Sequence, residues 1–123
     1  MACAAGLAVL KVFEEENMLE KSVVLGEKLK ARFEKWQQQF DIVGEIRGLG
    51  AMLGLELVKG KNREPAADEA KQLTSFCLAK GLMLLSCGSY GNIIRVLAPF
   101  VITDEQLEKG FGILEEGLAH ISR

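Results

Sequence analysis

Four glycines decide how the middle of this chain can fold. Gly44, Gly48, Gly50 and Gly54 interrupt a run of Val, Ile, Leu and Met between Ile42 and Val58. A glycine inside a helix costs about 1 kcal/mol relative to alanine, so glycine at this density argues against a helix. Two strands fit, over about 42–48 and 51–58, joined by a tight turn near Gly48-Leu49-Gly50. Side chains alternate across a strand, so Met52, Gly54, Glu56 and Val58 share one face of the second strand. Ala51, Leu53, Leu55 and Leu57 take the other, which is the natural core face.

Helices flank this pair. Cys3, Leu7, Leu10 and Phe13 recur at three- and four-residue steps, and the pattern restarts at Asn17 with Leu25, Leu29, Phe33 and Trp36. Asn17 followed by Glu20 reads as a helix N-cap. The spacing predicts two helices, roughly 2–15 and 18–39, or one helix kinked between them. Lys59 to Glu64 is a charged loop. Pro65 stands where a first helical residue belongs and Gly81 where a C-cap belongs, which bounds a helix at about 66–80. Leu82–Ser86 reads as a short buried strand, Cys87–Asn92 as a turn, and Ile93–Leu97 as a strand ended by Pro99. Thr103 with Gln106 forms a capping box for a last helix, and Ile102 with Leu107 forms a hydrophobic staple. Its buried stripe is Leu107, Phe111, Leu114, Leu118 and Ile121. The predicted class is α+β: a small, mostly antiparallel sheet of three to four strands with helices on one face, preceded by a long N-terminal helical segment.

The 123 residues suit one domain. Fifteen basic residues against seventeen acidic ones give a net charge of −2, with no basic stripe of the kind that binds nucleic acid. No apolar run is long enough to span a bilayer, and the N-terminus does not read as a signal peptide. The three cysteines, Cys3, Cys77 and Cys87, have no paired spacing, so a reducing, cytoplasmic compartment is expected. Cys3 and Cys77 fall on helix stripes and read as core. His120 is the single histidine, which argues against a histidine-based metal site.

One residue is out of keeping with its strand. Arg95 sits among Ile93, Ile94, Val96 and Leu97, just after a glycine-rich turn. Burying a guanidinium is costly unless an anion meets it, and its planar fork suits a carboxylate. Arg95 is therefore either a carboxylate clamp at the mouth of a cleft or a sheet-edge arginine that snorkels to water or pairs locally. Ile93, Arg95 and Leu97 share one face and Ile94 and Val96 the other. Gly88-Ser-Tyr-Gly91 lacks the lysine and spacing of a phosphate loop and reads as a hairpin connection, with Tyr90 placed to pack beside any ligand of Arg95. Arg47-Gly-Leu-Gly-Ala-Met-Leu-Gly54 fails the dinucleotide fingerprint, and Arg47 reads as a surface or ion-pairing residue. Cys87 lies near Arg95 but has no histidine base close in sequence. Glu14, Glu15 and Glu16 read as a solvated cluster, and Trp36 as packing.

Together, several segments resemble the C-terminal part of class III, fold type I aminotransferases, and most of all the 4-aminobutyrate subgroup. They are Ala2-Cys-Ala-Ala5, Ile46-Arg-Gly-Leu-Gly-Ala-Met-Leu-Gly54, Gly81-Leu-Met-Leu-Leu-Ser-Cys-Gly88, Tyr90-Gly-Asn-Ile-Ile-Arg95 with Leu97 and Pro99, and Ile102-Thr-Asp-Glu-Gln-Leu107. The resemblance covers essentially the whole chain in family order. It implies that residues 1–123 are the small domain of a longer enzyme that uses pyridoxal phosphate to move an amino group from 4-aminobutyrate, or a similar ω-amino acid, to 2-oxoglutarate. It implies that Arg95 binds a substrate carboxylate, and that the parent is a homodimer with amino and oxo acids as its small-molecule partners. It also implies that the catalytic lysine and the cofactor-binding residues lie upstream, since Lys11, Lys21 and Lys28 match no such motif. No catalytic, cofactor or metal residue is then expected in this chain, and the isolated chain is expected to be inactive. Two other readings remain: a non-catalytic α+β domain that binds a carboxylate metabolite or a protein partner, and a structural fragment that packs on a missing domain.

Overall fold

A computed structural model of the protein describes residues 1–122. Helix α1 spans Ala2–Glu15 and α2 spans Met18–Gln39. The joint between them is Asn17, at φ 49° and ψ 47°. Asparagine enters this left-handed region more readily than most residues, and there it closes α1. The expected side-chain cap on α2 does not form. A capping residue needs an extended backbone of its own, and Asn17 does not have one.

Strands β1 (Val43–Leu49) and β2 (Met52–Lys59) form the expected hairpin. A two-residue strand, β3 (Glu64–Pro65), then pairs with the end of β2 before α3 (Ala67–Ala79) begins. Pro65 thus belongs to a strand and not to the first helical turn. The amide of Ala66 is bonded to the Leu57 carbonyl at 3.0 Å, which holds the chain extended one residue longer. Two further strands, β4 (Leu85–Cys87) and β5 (Ile93–Leu97), precede α4 (Asp104–Ile121). The sheet runs β1-β2-β5-β4, with every pair antiparallel. β4 is shorter and less buried than expected, because it lies at the edge and only Leu85, Ser86 and Cys87 pair with β5.

Helices α2, α3 and α4 cover one face of this sheet. Leu29, Phe33 and Trp36 of α2, Leu73 and Cys77 of α3, and Leu114 and Leu118 of α4 join Leu53, Leu55, Leu57 and Ile94 in one core. Trp36 lies stacked on Phe33 at 5.4 Å and edge-on to Phe111 at 5.8 Å, so it packs as expected. Truncating an aromatic at the centre of such a core costs about 3–5 kcal/mol. α4 starts on the predicted capping box: Thr103 Oγ1 accepts from the Gln106 amide, and Gln106 Oε1 accepts from the Thr103 amide.

α1 departs from the sequence reading. Its stripe exists, but nothing covers it: Leu7 is 69% and Leu10 64% exposed, and Cys3 is exposed as well. Helical periodicity announces a face that suits burial, and it does not supply the partner. Among the described residues, no helix is long and apolar enough to cross a membrane.

Candidate functional site

Ile94 is fully buried under the helices. Alternation then turns Arg95 to the opposite, outward face of the sheet, where it is exposed. The strand register defines its neighbours. Arg47, Gly54, Arg95 and Leu85 form one row across β1, β2, β5 and β4. Leu49, Met52 and Leu97 form the row on one side, and Glu56, Ile93 and Cys87 the row on the other. Among the described residues no helix covers this face, and Leu49, Met52, Leu85 and Leu97 are all largely exposed.

The two arginines of the central row have different surroundings. Arg47 is engaged: its Nη1 lies 2.5 Å from Glu45 Oε2 and its Nη2 3.7 Å from Glu56 Oε1. This is the ion-pairing role the sequence suggested. Among the described residues, no carboxylate forms an ion pair with Arg95; the ten pairs present use other cations. Gly54 lies between the two and leaves the row without a side chain. A Cβ there would stand 3.1 Å from Cγ2 of Ile93, closer than ordinary contact.

Arg95 also borders an apolar cleft of about 350 Å³ that opens between the 82–85 segment, the end of β5 and helices α2 and α4. Leu84, Val96, Ile102 and Phe111 are among the lining residues, and Arg95 is the one charged side chain among them. Strand alternation points its side chain away from the helix-covered floor. An apolar hollow bordered by an arginine suits a small molecule with an aliphatic body and an acidic end.

A residue read from the sequence only as the end of a turn holds β5 in register. Asn92 is 3% exposed. Its Nδ2 donates to the Leu57 carbonyl and its own carbonyl accepts from the Leu57 amide, both at 2.8 Å. Two bonds to one residue of β2 thus fix the chain three residues before Arg95. The turn before it is built as expected, with Gly88 at φ 86° and Gly91 at φ 67°. Tyr90 projects from that turn and is exposed.

Other candidates are not drawn into this site. His120 is on α4, stacked on Phe76 at 5.2 Å, so Cys87 gains no base from it. Cys77 is buried in the core, and desolvation pushes its thiol up to about 11. Glu15 pairs with Lys11 and Glu16 with Lys21, and no metal-binding cluster occurs among the described residues. A pyridoxal phosphate site needs an amine to hold the aldehyde. The outward faces of β1, β2, β4 and β5 carry no lysine; Lys59 turns to the helix side, where it pairs with Glu69 of α3. The residues present here do not by themselves fit that cofactor.

Comparison with known proteins places this arrangement. The aminotransferase class-III family model matches residues 1–118. The chain is 50% identical over 117 residues to the 5-aminovalerate aminotransferase DavT of Pseudomonas aeruginosa, covering 94% of this chain and 28% of that protein. It is 42% identical over 117 residues to the 4-aminobutyrate aminotransferase GabT of Escherichia coli, again covering 94% of this chain and 28% of the relative. Among solved structures, an amine transaminase from an uncultivated Pseudomonas species, in its PLP-bound form, superposes with a TM-score of 0.83 at 29% identity. That match covers 98% of this chain and 27% of the transaminase. The chain therefore spans little more than a quarter of the length of the relatives it matches. Class III aminotransferases depend in general on pyridoxal phosphate. With the family model running from the first residue to within the last turn of α4, the chain belongs to the class III aminotransferases.

Proposed function

We propose that this chain is the C-terminal small domain of a longer class III transaminase, and that Arg95 binds the substrate carboxylate there. The observation that carries the reading is Arg95 itself: an exposed arginine on an open sheet face, bordering an apolar cleft, with no carboxylate among the described residues pairing with it. The proposed reaction moves an amino group from 4-aminobutyrate or a similar ω-amino acid to 2-oxoglutarate. Relatives named for 4-aminobutyrate and 5-aminovalerate support that substrate class. The cofactor is held by parts of the enzyme outside this chain, and when bound it supplies the electron sink for the chemistry. The parent enzyme is proposed to be a homodimer.

The share of the work assigned to this chain is placement. The fork of Arg95 donates two parallel hydrogen bonds to a carboxylate, which fixes both the distance and the rotation of the substrate. The hollow beside it accepts methylene groups and excludes water from them. Asn92 keeps β5 in register on β2, so the fork stays where the sheet sets it. Holding the reacting carbon in one orientation removes much of the entropic part of the barrier.

The test is Arg95→Gln in the full-length enzyme. Charge-assisted hydrogen bonds contribute about 1.5–3 kcal/mol, so KM for 2-oxoglutarate should rise roughly 10- to 100-fold. Arg95→Lys should recover only part of this, because an ammonium is a point charge without the fork. An unchanged KM in Arg95→Gln rules the reading out.

A further inference from the structure

We propose that Arg47 is a positioning residue for Arg95, acting by holding the Glu56 carboxylate away from it. The inference rests on the carboxylate-binding reading of Arg95 and deepens it.

Gly54 is directly opposite both Arg47 on β1 and Arg95 on β5. Glu56, two residues on along the same face of β2, is therefore the diagonal neighbour of both arginines. Diagonal pairs lie about 7–8 Å apart at the backbone, within reach of long side chains. Gly54 interposes nothing between them. Glu56 is thus an internal carboxylate that either arginine can claim.

Everything around Glu56 draws it to β1. Its Oε1 is 3.7 Å from Arg47 Nη2, and its Oε2 accepts from the Glu45 amide at 3.4 Å. The carboxylate lies over Gly44, where an added Cβ would meet Oε2 at 3.1 Å, so the glycine makes room for it. Arg47 simultaneously holds Glu45 at 2.5 Å. One cation therefore occupies two carboxylates, and Arg95 is left without a carboxylate partner among the described residues. Without Arg47, Glu45 and Glu56 would repel one another across adjacent strands. Glu56 would then turn to Arg95, its diagonal neighbour on β5, and would occupy the fork that an incoming carboxylate needs.

The test measures KM for 2-oxoglutarate in the full-length enzyme carrying Arg47→Met, Glu56→Gln, both together, or Arg95→Gln. A partly exposed internal pair contributes up to about 1 kcal/mol, so Arg47→Met should raise KM by up to about fivefold, and by more than about twofold. Adding Glu56→Gln should return KM to within about twofold of the parent, a rescue that mere loss of structure would not permit. The proposal is overturned if Arg47→Met leaves KM unchanged, or if its rise persists in the double variant. Should Arg47→Met fail to fold, Arg47→Gln with and without Glu56→Gln asks the same question. Glu56→Gln alone should hold KM within about twofold, since its carboxylate is already sequestered; a larger rise also overturns the proposal. Arg95→Gln separates the two levels: no effect there defeats the carboxylate-binding reading itself, whereas a large effect there with none in Arg47→Met defeats only this inference.

Discussion

Replacing Gly26 by alanine should destabilise the fold, although alanine is the better helix former. Gly26 lies in the middle of α2, buried against the β1–β2 turn. A Cβ built on it would stand 2.2 Å from the Gly50 carbonyl oxygen and 2.4 Å from the Gly50 carbonyl carbon. Both are backbone atoms and cannot rotate away. Reaching ordinary contact requires helix and turn to separate by about 1 Å, an overpacking cost of roughly 1–3 kcal/mol. That movement also stretches the bond from the Ala51 amide to Ser22 Oγ, already 3.4 Å long, which adds about 1 kcal/mol. Helix propensity returns about 1 kcal/mol. The net expectation is a loss of about 2 kcal/mol, read as a urea midpoint lower by about 1 M with unchanged slope. Helical circular dichroism follows the transition. The control is Gly112→Ala on α4, where an added Cβ meets nothing within 4 Å and the site is exposed. There the same substitution should stabilise by about 0.5–1 kcal/mol. A Gly26→Ala variant as stable as its parent would refute the reasoning, since the close approach of α2 to the turn would then impose no cost.

Asn92→Ala removes the buried donor to the Leu57 carbonyl and should cost about 1–3 kcal/mol, measured by urea unfolding. Stability should fall between about pH 9 and pH 11 through Cys77. Its folded pKa is raised from 9.0 to about 11 by burial, so in that window the unfolded chain has lost the proton that the folded chain keeps. The unfolded state binds fewer protons, and unfolding becomes easier as pH rises, by up to about 2.7 kcal/mol; Cys77→Ala should lack this component. A thiol reagent under native conditions should label exposed Cys3 first and leave Cys77 unmodified until the chain unfolds. Equal labelling rates would contradict the burial of Cys77.

The parts of this fold legible in the sequence are those set by local chemistry. The Thr103–Gln106 capping box, the β1–β2 hairpin and the limits of β5 are each determined within a few residues, and the structure has them where the pattern placed them. The misreadings are non-local. Leu82–Leu84 are apolar enough for a strand, but pairing depends on β5, which accepts only Leu85–Cys87. Pro65 has the φ of a helix start and equally that of an edge strand; the Ala66–Leu57 bond across eight residues of chain decides. The stripe on α1 is real and lacks a partner among the described residues. At the site, alternation placed Arg95 opposite Ile94 from sequence alone. What it could not show is that Gly54 faces both arginines and that Glu56 falls diagonal to each, because register across three strands is not a property of any one segment. Asn92 carried a faint signal, a polar residue between a glycine and an apolar strand, which also suits a simple turn.

Trp36 is the chain's single tryptophan, and it is enclosed by aromatic rings on the helical side of the sheet. Its emission therefore reports on the seam between α2 and α4, where Phe33 and Phe111 also line the hollow that Arg95 borders. A small molecule seated in that hollow would alter the surroundings of the two rings that touch the indole. Intrinsic emission is therefore a detector for occupancy of the hollow as well as for melting.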